Sequence, residues 1–426
     1  MPSQSKQSRK VILAGSVGNV MEWFDFAIYG FFAPVIGRQF FPSDDPIASL
    51  LAAYGVFASG FLARPLGAAF FGHLGDRYGR RVVLRISVLM MGISTGLVGL
   101  LPNYDAIGNA AAIALICLRM LQGFSVGGEY TGSIIYLVER APENRRGIVG
   151  GWTNFGAVAG FLIGSAVGAL ISGILSVDAL DSWGWRIPFI AGVSIAGLAA
   201  FFRRNLTETP QNDTLDERLP LVQAVRSEWR TMLRIAGIVL MSNVGFYMMF
   251  VYVTTYLSEE VGVPMATALE IDTAAMATLL IFVPLSAWLS DKIGRKPVLL
   301  SASIGCLILA IPLFYVIRHD DPGLIFLGQL GFAVLIGLAM GPNAATIVEV
   351  TRAPYRCTVV SVAYNITLAI FGGTTPIVAT WLIEETGDLL TPAYYLMGMA
   401  VVTIITLLTQ KETGKGPIEQ PKRGLD

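Results

Sequence analysis

Runs of about twenty apolar residues, each closed by a short polar or basic stretch, recur along the whole chain, and this spacing predicts helices that cross a bilayer. The first six fall at about 11–37, 47–72, 82–101, 108–138, 148–174 and 186–203. The second six fall at about 231–257, 267–290, 297–318, 323–350, 357–383 and 391–410. Between them lies a polar connection, 204–230, holding Thr207, Pro210, Asn212, Asp213 and Pro220. Its last part, with Arg226, Trp229 and Arg230, reads as a short amphipathic helix on the membrane surface. The pattern therefore predicts an all-α membrane protein of twelve transmembrane helices in two pseudo-symmetric six-helix bundles. Residues 1–203 form the first and 231–426 the second, which ends in a short tail.

Composition agrees with that pattern. Hydrophobic residues make up 54% of the chain and charged ones 14%, whereas an ordinary soluble domain is about a quarter charged. The net charge of zero gives no overall attraction to nucleic acid. Cys117, Cys306 and Cys357 stand singly, which suits packing better than metal or redox chemistry. No nucleotide-binding loop or zinc motif is present, and the only histidines are His73 and His319, one at each side. An enzyme, an ATP-driven pump and a cofactor-bearing protein are thus not expected. The first apolar run is interrupted by Asn19, Glu22 and Asp25, so it reads as a retained helix and not as a cleaved leader.

Basic residues cluster in alternate loops, among them Arg77, Arg80, Arg81, Arg140, Arg145, Arg146, Lys292, Arg295, Lys296, Arg352 and Arg356. The other loops are acidic, with Asp44, Asp45, Asp178, Asp181, Glu259, Glu260, Asp320, Asp321, Glu384, Glu385 and Asp388. The positive-inside rule then predicts both termini in the cytoplasm of a bacterial cell, with the protein in the inner membrane.

The chain also repeats itself. Asp76, Arg77, Gly79, Arg80 and Arg81 follow the second predicted span, and Asp291, Lys292, Gly294, Arg295 and Lys296 follow the eighth. Glu139 with Ala141, Pro142 and Arg145 follows the fourth span, and Glu349 with Ala353, Pro354 and Arg356 follows the tenth. Topology anchoring accounts for the arginines but not for the repeated aspartate and glycine. Asp76, Arg80, Glu139, Arg145, Asp291, Arg295, Glu349 and Arg356 are accordingly candidates for a latch that closes the cytoplasmic side. Such repeats suit transporters whose halves rock about a central site.

At these residues the chain resembles the major facilitator superfamily, and more narrowly its metabolite:proton symporter family. The stretches that carry the narrower likeness run from Gly18 to Phe26, Arg64 to Gly67, Leu121 to Tyr130, Trp183 to Phe189 and Phe371 to Gly373. The resemblance implies alternating access and symport of a small polar metabolite with protons, without a cofactor. Within the family the residues look most like members that carry zwitterions such as proline or glycine betaine. Similar members carry citrate, 2-oxoglutarate or shikimate, so a carboxylate is the alternative substrate, and a membrane sensor that transports nothing is the alternative class. Osmosensing members carry a long coiled-coil tail, whereas about sixteen polar residues without heptads follow the last predicted span here. A monomer, with substrate, protons and lipid as its only partners, is expected.

Charges inside a bilayer cost at least about 2.5–3.5 kcal/mol each, so they are kept for pairing or transport. Glu22 and Asp25 lie deep in the first span and Arg119 deep in the fourth, and the superfamily's architecture would let either acid meet Arg119. A carboxylate facing a guanidinium keeps its charge, and one left alone in an apolar site takes up a proton. Glu22 or Asp25 is therefore the candidate proton carrier and Arg119 its switch, with a static ion pair as the structural alternative. Arg64 and Glu129 would pair or line the inward mouth. The second half offers no comparable deep charge, and its polar candidates are Asn243, Tyr247, Asn343, Tyr364 and Asn365. With Trp23 and Tyr29 as further aromatic contacts, these complete the candidate substrate set with Arg64 and Glu129. Helix packing is the alternative role for each aromatic.

Overall fold

The computed structural model describes residues 19–78, 80–204, 221–414, 416 and 418, and among these it contains helices and no strand. We number the membrane helices α1 to α12. Helix α1 is bent by 65° between Asn19–Phe31 and Ala33–Phe40, with Pro34 at the second piece's start, where it removes an amide donor. The first half continues with α2 (Pro46–Tyr78), α3 (Arg80–Leu100), α4 (Asn109–Arg140), α5 (Arg146–Ile174) and α6 (Arg186–Arg204). The second holds α7 (Leu221–Val261, continuous through wider turns), α8 (Met265–Ile293), α9 (Arg295–Ile317), α10 (Pro322–Glu349), α11 (Ala353–Thr386) and α12 (Thr391–Leu408). By length and composition nine of the described helices can cross a membrane alone, ten with bent α1, and α3 and α6 complete the twelve. The expected surface helix is continuous with α7, set off only by a kink at Glu228.

Loops rich in basic residues gather at one end of the bundle and acidic loops at the other, which are termed here the basic and the acidic end. Contacts between halves run the full height. The first residues of α5 meet the last third of α8 and of α10 closely, at the basic end, while α2 packs on α11. At the acidic end Tyr54 Oη donates to Thr255 Oγ1 at 2.7 Å across the halves. Both ends are thus closed, which is an occluded arrangement.

The closest backbone approach lies between α2 and α4. A Cβ on Gly123 would stand 1.7 Å from the Gly60 carbonyl oxygen, and one on Gly67 would stand 1.8 Å from that of Phe124. Such contact needs small residues facing each other. It also sets the rotation of both helices, and so aims Arg64 and Arg119 inward. Gly123→Ala should therefore lower the melting temperature and folded yield, by more than the about 1–3 kcal/mol of ordinary overpacking. Gly132→Ala on the same helix, where a Cβ meets nothing within 4 Å, should leave both unchanged in a thermal unfolding assay of purified protein.

Candidate functional site

Two carboxylate–guanidinium pairs lie inside the first half. Asp25 of α1 meets Arg119 of α4 at 3.1 Å, and Glu22 of α1 meets Arg64 of α2 at 2.5 Å. The four residues are 2% exposed or less. Each expected carboxylate is therefore paired, but with a different arginine. Arg64 lies against Glu22 instead of only lining a mouth, because Trp23, Phe26 and Phe61 wall its guanidinium at 5.1, 5.7 and 5.7 Å. Such stacking stabilises a cation away from water. Phe26 also faces Arg119 at 4.7 Å, so one ring separates the two cations.

The Asp25 carboxylate is held by several protein donors. It accepts from Thr95 Oγ1 at 2.7 Å and Gln122 Nε2 at 3.0 Å besides Arg119. Gln122 in turn accepts from Arg119 at 2.7 Å through Oε1, which fixes the orientation of its amide. Gln122 and Thr95 were not among the sequence candidates. Gln122 could have been found, because it stands three residues after Arg119 on one helix face. Tyr29 lies beside this network: its ring is 4.3 Å from the Arg119 guanidinium and its hydroxyl donates to Ala53 O.

Between the halves, next to the Glu22–Arg64 pair, lies a cavity of about 20 Å³, room for about one water. Its lining includes Tyr130, Asn154, Ser242, Asn243, Asn343 and Tyr364. Three predicted residues, Asn243, Asn343 and Tyr364, thus meet in one chamber, and Trp23 adjoins it through Tyr130, with ring centroids 5.6 Å apart. Asn343 Nδ2 donates to Ser242 at 2.7 Å, while Asn343 Oδ1, Asn243 Nδ2 and Tyr247 Oη have no hydrogen-bond partner among the described residues. Buried polar atoms left so are costly, and a water in the cavity would satisfy those of Asn243 and Asn343. Tyr130 donates to Asn154, whose amide donates to Met340 O across the halves at 2.6 Å. Tyr247 packs on Phe61 and Phe161 just above a widened helical turn at 248–252, a distortion frequent at binding sites.

Asn365 and Glu129 lie elsewhere. Asn365 donates to Gly127 O at 3.2 Å, bracing the break in α4 at Gly127 and Gly128. Glu129 is the first residue after that break and is half-buried.

At the basic end Arg356 binds Glu139 across the halves at 2.6 Å. Asp291 accepts from the amides of Gly147 and Ile148 at 2.8 and 2.9 Å, at the start of α5, and from Arg295 at 2.7 Å. A carboxylate at a helix N-terminus gains from free amides and from the helix dipole. Gly294 has φ +109°, the turn for which glycine was expected in the repeat. Arg295 also meets Glu349 at 3.2 Å. The expected Arg145 is exposed; its neighbour Arg146 is buried instead, 3.8 Å from Glu349, because the helix begins there and turns it inward. The side chains of Asp76 and Arg80 fall outside the described residues.

One expectation fails. The second half does hold a deep charged group, Asp272 of α8, which is 0% exposed. It lay within the eighth predicted span, whose apolar flanks concealed it.

Comparison with known proteins places this geometry. The model of the family described as "Sugar (and other) transporter" matches residues 11–212 and 215–424. The proline/betaine transporter of Escherichia coli (strain K12) is 40% identical over 425 residues, covering 96% of this chain and 85% of that one. A glycine betaine/proline/ectoine/pipecolic acid transporter of Dickeya dadantii is equally similar, at 40% identity with the same coverage. A putative proline/betaine transporter of Staphylococcus aureus is 36% identical, covering 96% and 90%. Among solved structures, the major facilitator superfamily proton:xylose symporter XylE superposes with a TM-score of 0.76 at 17% identity, over 98% of both chains. A partially occluded, inward-open form of the xylose transporter from E. coli superposes with a TM-score of 0.74 at 19% identity, over 96% and 99%. This chain is a multi-pass membrane transporter with the twelve-helix major facilitator fold, and it belongs to the sugar (and other) transporter family.

Proposed function

We propose that this transporter moves a small zwitterion of the proline or glycine betaine type together with protons, by alternating access. The observation that supports this reading is the Glu22–Arg64 pair, buried beside a chamber of neutral polar and aromatic side chains. A zwitterion carries the same two charges at similar separation. Its carboxylate suits Arg64, whose Nε and Nη1 have no partner among the described residues. Its cationic end suits Glu22 and the faces of Trp23, Tyr130 and Tyr364. The likeness to proline and betaine carriers points the same way. Arg64 also favours a second reading, a di- or tricarboxylate substrate. One chain closes the whole chamber, so a monomer suffices.

Asp25 is the proton carrier in this proposal, and Arg119, held with it by Gln122 and Thr95, is the group whose withdrawal lets it take up a proton. All four stand on α1, α3 and α4 of one half. A rigid swing of the halves does not part them, so the switch requires water entry or a shift of bent α1 within its own half. The basic end faces the cytoplasm, following the distribution of lysine and arginine. Its latch joins Glu139 to Arg356 and Asp291 to the start of α5.

In proteoliposomes Asp25→Asn should lose at least about tenfold of gradient-driven proline or betaine accumulation, roughly 1.4 kcal/mol, while keeping solute exchange. Glu22→Gln should weaken binding in both assays. Wild-type accumulation should rise as external pH falls; an Asp25→Asn protein that still accumulates with the gradient refutes the assignment. Competition of labelled proline or betaine uptake by citrate, 2-oxoglutarate and shikimate separates the substrate readings, and inhibition only by unlabelled zwitterions is expected. Arg356→Gln should open the basic end, seen as several-fold faster labelling from that side of a cysteine placed at Ser242.

A further inference from the structure

The scheme above leaves one buried acid unused. Asp272 lies seven residues after Met265, where α8 begins, and so about 10 Å below the acidic end at about 1.5 Å per residue. Its Oδ1 accepts from Gln329 Nε2 of α10 at 2.8 Å, and its Oδ2 lies 3.0 Å from Ser165 Oγ of α5. Because α5 belongs to one half and α8 and α10 to the other, this carboxyl joins the halves.

No cation reaches it among the described residues. Helix α5 carries only Arg146 and α10 only Glu349, both at the basic end. On α9, Arg295 and Lys296 are at that end too, and Arg318 beyond its other end makes no ion pair with Asp272. Glu270 on α8 itself is exposed. At this end α7 offers only Tyr252, Tyr256, Glu259 and Glu260, none of them cationic.

The hydroxyls around the acid accommodate both of its forms, with one more hydrogen bond in the protonated one. Thr273 Oγ1 lies 2.7 Å from Leu269 O and has one proton, which can go there or to Ser165. Ser165 Oγ also has one proton, and stands 2.8 Å from Thr273 Oγ1, 3.0 Å from Asp272 Oδ2 and 3.2 Å from Leu269 O. If Asp272 is ionised, Ser165 donates to it and Thr273 donates to Ser165, which leaves no hydroxyl hydrogen for Leu269 O. If Oδ2 carries a proton, Asp272 donates to Ser165, Ser165 to Thr273 and Thr273 to Leu269. Desolvation favours the protonated form, since a carboxylate buried at 0% exposure without a cation is penalised far more than the neutral acid.

We propose that Asp272 is a proton-binding site separate from the Asp25 network, and that its proton holds the acidic ends of the two halves together. Loss of that proton to water leaves a buried charge that is relieved only when Ser165 moves away and solvent enters. Opening at this end therefore releases one proton to the same side, and closing captures one. The site needs no particular solute and stands apart from the substrate reading.

The test uses the full chain in nanodiscs, where both ends are accessible, with Cys117, Cys306 and Cys357 replaced by serine and a reporter, Val251→Cys. Val251 lies between the halves, where a Cβ on Gly30 would meet it at 2.6 Å. Its labelling by a polar maleimide is followed from pH 5 to pH 9, with and without Asp272→Asn, so that thiol chemistry cancels in the ratio. The ratio should stay near one at acid pH and rise about three- to tenfold at alkaline pH, as only the aspartate version opens. Ser165→Ala should label fast already at pH 5, and Asp25→Asn should leave the response in place. A ratio flat with pH, a response abolished by Asp25→Asn, Ser165→Ala behaving as the parent, or labelling set by sodium at constant pH would each overturn the proposal.

Discussion

A charged side chain in the interior of a membrane bundle persists only where partners replace the water it has lost, and this constraint organises the first half of the molecule. Arg64 and Arg119 are fully buried, and each has a carboxylate from the same stretch of α1. Because Glu22 and Asp25 are three residues apart, they leave α1 in neighbouring directions and reach different helices, α2 and α4. Helix α1 is thus pinned at two points, and Phe26 fills the space between the guanidiniums. Removing one partner from either pair would strand a charge, which is costlier than never having buried it. The two pairs differ in surroundings. Asp25 is enclosed by fixed donors, while the Glu22–Arg64 pair borders a chamber with unsatisfied polar atoms.

The two closures between the halves are built from different chemistry. At the basic end they use charged groups, through Glu139 with Arg356, Arg146 with Glu349, and Asp291 on the amides of Gly147 and Ile148. At the acidic end they consist of hydroxyls and one acid, through Tyr54 and Thr255 and through Ser165 and Asp272. Ionic contacts near a surface weaken as salt or water enters, whereas hydroxyl contacts respond mainly to displacement. An alternating-access protein needs both ends to open at modest cost, and neither set is large enough to lock the molecule permanently.

Much of this architecture could be read from periodicity and charge. The twelve helices follow from apolar run lengths, and the repeated Asp-basic-x-Gly-basic-basic pattern located a real contact, with Gly294 in its required turn. Depth was legible as well, since Glu22, Asp25 and Arg119 are all buried. The pairing was not. Which acid meets which arginine depends on how far α2 and α4 rotate, and that is set by glycine contacts between helices distant in the chain. Asn365 and Tyr29 illustrate the same difficulty, as their faces are polar in composition but are taken up by Gly127 O and Arg119. Arg145 and Arg146 differ by one position, or about 100° of helix, below the resolution of a pattern argument. Asp272 was hidden because hydropathy averaged over a window dilutes a single acid among leucines and alanines.

The Asp291 contact has a bearing on how such proteins vary. It grips backbone amides of Gly147 and Ile148 and not their side chains, so its recognition is blind to what residue 148 carries. Hydrophobic drift at that position leaves the clasp intact, and only proline, which has no amide hydrogen, severs it there. Position 147 is constrained in another way, by the lack of room for a methyl group beside Ala287 and Arg295. A closure read through main-chain atoms can thus outlast wide divergence in the surrounding sequence, provided that one acid and one hydrogen-sized residue endure.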